Sequence, residues 1–269
     1  FRLLQGDVGS GKTIVSFLSA LNTINSGFQV AMMAPTEILA KQHYETLRPI
    51  CDICKISIVY LSGKITGNKR KIILNKIKDG SASIVIGTHA LFQKEVIFQN
   101  LLIAVIDEQH RFGVHQRLEL TNKGKSLDVL VMTATPIPRT LTLTTYGDMD
   151  VSRLDQKPLG RVSIDTRIIN LNRISEVIDA VGRAIKNNSK IYWICPLIEE
   201  SELMDLAAAE NRYENLKNVF GNKVSLVHGR IKPQDRERII EDFSRPNNES
   251  PIQILVSTTV IEVGIDVPD

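Results

Sequence analysis

The chain has 269 residues, 43% hydrophobic and 23% charged, which is the make-up of a globular protein with one large core or two moderate ones. Its 33 basic and 30 acidic residues leave a net charge of +3, too balanced to mark a nucleic-acid partner by charge alone. No apolar run is long enough to span a bilayer and no secretory leader is recognisable, so a cytoplasmic protein with no membrane partner is expected.

The chain opens on Phe1 inside an apolar stub, Leu3-Leu4, and closes on Asp269 just after a dense motif; it reads as a piece cut at both ends. Directly after the stub comes Gly6-Asp7-Val8-Gly9-Ser10-Gly11-Lys12-Thr13. This is a complete G-x-x-x-x-G-K-T phosphate loop. Its glycines let successive backbone N–H groups curl around phosphate oxygens. Lys12 is placed for the β- and γ-phosphates and Thr13 for Mg²⁺. Ile14, Phe17, Leu18, Leu21 and Ile24 then recur at helical spacing, and Ser26-Gly27 supplies a stop. Strand, loop and helix are the setting this motif requires, so ATP with Mg²⁺ is the expected ligand.

Short apolar runs then alternate with helical patterns. Strands are expected at Val30–Ala34, Ile56–Leu61, Ile84–Gly87, Leu102–Asp107 and Val129–Thr133, and in a second series at Ser163–Ile169, Ile191–Cys195, Val224–Val227 and Ile254–Ser257. Helices are expected at Glu37–Arg48, Lys69–Lys78, Arg173–Asn187, Glu202–Phe220 and Pro233–Phe243. Repeated βα units imply an α/β fold with a largely parallel, doubly wound sheet, whose ligands sit at the carboxyl ends of the strands. The series breaks near Asp150–Arg161, where Gln156-Lys157-Pro158-Leu159-Gly160 reads as a linker. Two lobes follow, 1–152 and 162–269, joined by a linker at 153–161, the second lobe shorter and incomplete.

The strand Leu102–Asp107 ends in two acids, Asp107 and Glu108. Beside a phosphate loop, Asp107 is expected to hold Mg²⁺ opposite Thr13, and Glu108 to act as base or orienter for the water attacking the γ-phosphate. Met132-Thr133-Ala134-Thr135-Pro136 closes another strand with two hydroxyls suited to relaying the phosphate state. At the junctions Ala34-Pro35-Thr36-Glu37 and Gly87-Thr88-His89-Ala90, the residues Thr36, Thr88 and His89 are candidates for a nucleic-acid backbone. Taken in isolation, plain helix capping by Thr36 is the stronger reading. In the second lobe, Thr258 is a candidate phosphate contact, and Gly264 and Asp266 in Gly264-Ile265-Asp266 are candidates for nucleotide. Lys64, Lys69, Arg70 and Lys71 read as a solvated basic face. Cys51-x-x-Cys54 is half a zinc pattern that His43 does not complete, and Cys195 stands apart, so free thiols are expected.

Together these motifs resemble a superfamily 2 helicase motor, built from two RecA-like lobes. Motif I is Gly6–Thr13, motif Ia Ala34–Ala40, motif Ib includes Gly87–Ala90, motif II is Asp107-Glu108-Gln109-His110, motif III Thr133-Ala134-Thr135, and motif V Val256–Pro268. The resemblance adds Gln109 and His110 to the catalytic set. Within the superfamily the chain is similar to the bacterial RecG branched-DNA translocases, through the phosphate loop and Ile106-Asp107-Glu108-Gln109-His110-Arg111-Phe112-Gly113-Val114-His115-Gln116-Arg117. Thr133-Ala134-Thr135-Pro136-Ile137-Pro138-Arg139-Thr140, Leu197-Ile198-Glu199-Glu200-Ser201-Glu202 and Val227-His228-Gly229-Arg230 match as well. The transcription-repair coupling factor Mfd shares most of these but usually carries a DEEH-like box and lacks the Leu-Ile-Glu-Glu-Ser-Glu run. The resemblance implies an ATP-driven monomeric motor on branched or duplex DNA, gripping phosphates rather than reading bases, with replication-fork proteins as further partners. It also implies an arginine-finger segment, motif VI, after motif V, and a branch-recognising wedge domain ahead of motif I. A nucleotide-binding module without turnover is the alternative from another class.

Overall fold

The computed structural model describes residues 1–108, 127–135, 149–156, 164–195 and 202–258. The chain divides into two compact units, Phe1–Ser163 and Ile164–Asp269.

The first unit is built on a seven-stranded parallel sheet. Its strands are β1 (Arg2–Gly6), β2 (Gln29–Met33), β3 (Ile58–Leu61), β4 (Ile84–Gly87), β5 (Leu101–Asp107), β6 (Asp128–Thr133) and β7 (Asp150–Leu154), in spatial order β3-β4-β2-β5-β6-β1-β7. Helices α1 (Lys12–Asn25), α2 (Glu37–Ile53) and α3 (Gly67–Lys78) make crossovers between parallel strands. Alternation along each strand sends side chains to both faces, and both are dry. Leu3, Ala31, Met33, Val85, Ala104, Ile106 and Val131 belong to one core cluster. Their strand neighbours Leu4, Val30, Met32, Ile84, Ile86, Val105 and Met132 are also buried.

Gln29 is a buried polar residue that staples this unit. Its amide nitrogen donates to the carbonyls of Ile77 and Ala82, at 3.0 and 2.8 Å, and its oxygen accepts from the N–H groups of Gln99 and Asn100, at 2.9 and 3.2 Å. One side chain thus bonds four backbone groups, from the last turn of α3, the loop after it and the loop before β5.

The second unit has a three-stranded parallel sheet, β8 (Ile191–Ile194), β9 (Val224–Val227) and β10 (Ile254–Ser257), in the order β8-β10-β9. Helices α4 (Ile174–Lys186), α5 (Glu202–Phe220) and α6 (Pro233–Ser244) accompany it. Val181, Ile185, Leu216, Val224, Ile254 and Val256 form one cluster, and Val227, Phe243 and Leu255 another.

The α/β fold with parallel doubly wound sheets is as expected. Three elements differ. Helix α2 runs through Pro49 to Ile53 instead of stopping at Arg48. Buried Leu47 and Cys51 lie four residues apart, so the apolar stripe carries the helix past a residue that normally ends one. Strand β7 pairs with β1 where a break was expected, with Arg2 bound to Asp150 at 2.9 Å. It is a polar edge strand, so no apolar alternation announces it. The strand expected at Ser163–Ile169 does not form. Residues 164–169 carry no regular structure and are exposed, and among the described residues no strand pairs with them. An isolated extended run gains nothing from β-propensity.

Candidate nucleotide-hydrolysis site

Sheet order brings three motifs together. Strands β5, β6 and β1 are neighbours. The register aligns Gln5 with Thr133 and Asp107 with Met132. The two acids, the paired threonines and the phosphate loop therefore leave the sheet from adjacent carboxyl ends.

The loop is shaped by its glycines. Gly9 and Gly11 have φ of 75° and 92°, which strains any side-chain-bearing residue. A Cβ on Gly6 would lie 2.5 Å from Ser10 Oγ and 2.9 Å from Leu154 Cβ. Lys12 Nζ folds over the loop and donates to the carbonyls of Gly6 and Asp7, at 2.8 and 3.0 Å. The Val8 N–H is taken by Asp7 Oδ1 at 2.8 Å, and the Ser10 N–H by the Asp7 carbonyl at 3.1 Å. Ser10 Oγ is buried with no hydrogen-bond partner among the described residues. A polar atom shut in without a partner is costly, and inside a glycine cradle a phosphate oxygen is the partner that fits it. Thr13 stands in the first turn of α1, half-buried.

Asp107 ends β5 and is buried. Its Oδ2 meets Nε2 of His43, on α2, at 2.8 Å. Glu108 follows with φ of +49°, a conformation rare outside glycine. That twist turns its carboxylate toward β6. Oε2 accepts from Thr133 Oγ1 at 3.3 Å, and Oε1 accepts from the Ala134 N–H at 3.1 Å. Thr133 and Thr135 join hydroxyls at 2.9 Å. Since Thr133 has one hydroxyl proton and gives it to the carboxylate, Thr135 must be the donor in that pair. The relay runs Thr135 to Thr133 to Glu108. Gln5 joins it by donating to the Thr135 carbonyl at 3.2 Å.

The remaining candidates are placed less centrally. Thr36 is the N-cap of α2 and accepts from the Leu39 N–H at 3.3 Å, which is its capping role. Thr88 is buried, its hydroxyl without a partner among the described residues; its neighbour His89 is exposed and is the one open to a ligand. Thr258 is buried at the end of β10. Gln109, His110, Gly264 and Asp266 lie outside the described residues. Arg70 is not part of a solvated face. It clamps two loops, bonding the carbonyls of Ser62 and Ile65 and the side chains of Gln93 and Glu95. Cys51, Cys54 and Cys195 are free. His43 is the site residue that sequence reasoning missed. The available signal was its position on a helix between apolar Leu39 and Leu47, where a polar side chain needs a partner.

Residues 2–144, just over half of the chain, match the DEAD/DEAH box helicase family. The chain belongs to that family. Its residues 171–269 match the helicase conserved C-terminal domain. The whole chain is 49% identical to the ATP-dependent DNA helicase RecG of Pasteurella multocida and 45% identical to that of Bacillus subtilis. It spans 39% of the length of each. A solved structure of RecG bound to a three-way DNA junction aligns with 99% of this helicase-family chain and 34% of its own, at a TM-score of 0.80 and 42% identity. Mss116p bound to single-stranded RNA shares the fold at a TM-score of 0.67 and 23% identity, over all of this chain and 59% of that one. Among the described residues no helix is long and apolar enough to cross a membrane.

Proposed function

We propose that this chain carries the ATP-hydrolysing motor of a RecG-type helicase, a monomeric cytoplasmic translocase that remodels branched DNA at forks and junctions during recombination and repair, alongside replication-fork proteins. The observation that carries the reading is the hydrogen-bonded link from Glu108 to Thr133 and Ala134 on the strand beside the phosphate loop. The 49% identity to a RecG helicase over the whole chain supports the branched-DNA substrate.

In this mechanism Lys12 exchanges the carbonyls of Gly6 and Asp7 for β- and γ-phosphate oxygens. Backbone N–H groups of Gly9, Gly11, Lys12 and Thr13 and the orphaned Ser10 hydroxyl take the remaining oxygens. Thr13 and Asp107 would hold Mg²⁺, which when bound would neutralise charge on the phosphates. Few protein ligands are needed, because Mg²⁺ keeps most of its shell as water and phosphate. Glu108 orients the attacking water and receives its proton. The Thr133–Thr135 relay fixes that carboxylate and reports on its protonation to the end of β6. Gln109 and His110 belong to motif II, and Gly264 and Asp266 are further candidates for nucleotide contact. Thr36, Thr88, His89 and Thr258 serve the DNA side. Of these, Thr88 and Thr258 are buried, which leaves His89 and half-buried Thr36 to meet the backbone directly.

Steady-state ATP hydrolysis with a three-way junction, linear duplex, single strands and no DNA tests the substrate class. Stimulation greatest with the junction is expected. Equal turnover in all four would leave an ATPase without a branched-DNA role.

A further inference from the structure

We propose that His43 is a positioning residue for Asp107, and that its bond ties helix α2 to the metal end of the nucleotide site. The inference rests on reading Asp107 as the Mg²⁺ carboxylate.

The contact is short and shielded. Nε2 and Oδ2 stand 2.8 Å apart, and the two side chains are only 12% and 11% exposed. A carboxylate can only accept, so Nε2 carries the proton whichever charge state the ring adopts. The bond occupies Oδ2 and leaves the lone pairs of Oδ1 for the metal or its water. It also stops the carboxylate from rotating about its last bond. Carboxylates that serve metals are commonly held this way, and losing the holder weakens metal binding about 10- to 100-fold.

The placement of His43 is not explained by packing. Leu39, His43, Leu47 and Cys51 follow one another at intervals of four along α2, and the other three are buried. An apolar residue would fill that slot more cheaply than an imidazole, which needs a partner when shielded from water. The partner it has is the one buried carboxylate at the carboxyl end of the sheet among the described residues.

The same helix begins at Thr36, its N-cap at the end of β2. Seven residues separate Thr36 from His43, about 10 Å of helix. A helix is stiff over that length. Any shift of its first turn, where Thr36 is a candidate phosphate contact, therefore moves the imidazole and with it the carboxylate. A phosphate contact at Thr36 would thereby be joined to Asp107 through one side chain.

The test compares His43→Gln, which keeps an N–H donor, with His43→Met, which keeps bulk without one, and with Asp107→Asn. The readouts are Mn²⁺ affinity by electron paramagnetic resonance with a non-hydrolysable ATP analogue, analogue affinity in EDTA, and the thermal midpoint. His43→Met should lose at least about tenfold in Mn²⁺ affinity, keep its EDTA affinity, and melt within a few degrees of the native chain. His43→Gln should recover most of the loss. If His43→Met binds Mn²⁺ as the native chain does while Asp107→Asn does not, the inference fails and the site stands. Equal weakening in both His43 variants means the slot needs the ring's shape rather than its bond, which also overturns it. Native Mn²⁺ affinity in Asp107→Asn removes both the inference and the assignment beneath it.

Discussion

Glu108 accepts a hydrogen bond from Thr133 across the boundary between β5 and β6, Oγ1 to Oε2 at 3.3 Å. The contact exists because Glu108 takes a left-handed backbone turn directly after the strand. Residues in that conformation persist only where their surroundings hold them. Here the Glu108 N–H bonds the Met132 carbonyl at 2.9 Å, and both carboxylate oxygens are engaged from β6. The acid proposed to direct water is therefore pinned before any nucleotide arrives.

Thr133→Val keeps the shape of the strand and removes the donor. It should lower kcat by roughly ten- to a hundredfold, the scale expected when a reacting group is misplaced by a fraction of an ångström to an ångström. The affinity for ATP should stay within about twofold. Steady-state kinetics check the split. A raised KM with native kcat would mean that Thr133 serves binding rather than the orientation of Glu108.

Lys12→Ala removes the ammonium that now caps the Gly6 and Asp7 carbonyls. Tight binding of Mg²⁺-ATP should be lost, because a charge-assisted contact in a shielded loop has no substitute. Titration with a fluorescent ATP analogue measures it. Equal affinity in the two forms would detach the loop from phosphate binding.

The fold was legible wherever a βα unit repeats. Val30–Ala34, Ile84–Gly87 and Leu102–Asp107 are dry on both faces, so continuous apolar runs announce them. The phosphate loop and Asp107-Glu108 stood out in the sequence because nucleotide chemistry would restrict residue type at each position, and the sheet order sets them at adjacent carboxyl ends. What stayed hidden depends on partners distant in sequence. The polar strand β7 is defined by its pairing with β1, and α2 outlasts Pro49 because Cys51 has a core to enter. His43 gave no sign of its contact with Asp107 until α2 was laid against the end of β5. Thr88, a candidate contact for a nucleic-acid backbone, is buried where β4 runs into the 3₁₀ turn His89–Phe92.

Gln29→Leu tests the staple of the first unit. It leaves the carbonyls of Ile77 and Ala82 and the N–H groups of Gln99 and Asn100 without their present partner. Each unsatisfied buried group costs about 1–3 kcal/mol, so a loss of at least about 3 kcal/mol is expected by urea unfolding. A change under about 1 kcal/mol would show that water reaches these groups.

Cys51 gives a pH prediction. Burial, and then the negative charge of Cys54 and Asp52, push its thiol from 9.0 up to about 11. The folded state thus holds this proton more tightly than the unfolded chain. Below the unfolded value both states are protonated and the stabilisation is complete. It is lost as pH rises from about 9 through about 11. Stability by urea should fall across that window, and Cys51→Ala should fall less. At pH 8, iodoacetamide should label exposed Cys54 and spare Cys51. Labelling of both in the folded chain would contradict the burial.

The most direct measurement of the central claim is single-turnover hydrolysis of Mg²⁺-ATP by the native protein and by Glu108→Gln, with nucleotide affinity measured on the same samples. The substitution keeps the side chain's length and one oxygen to accept from Thr133, gives up the bond from the Ala134 N–H, and removes the base. Hydrolysis should slow by at least about a hundredfold, the usual scale for losing a general base, with ATP affinity within about twofold of native. Turnover at the native rate would contradict the role of Glu108 and the account of hydrolysis built on it.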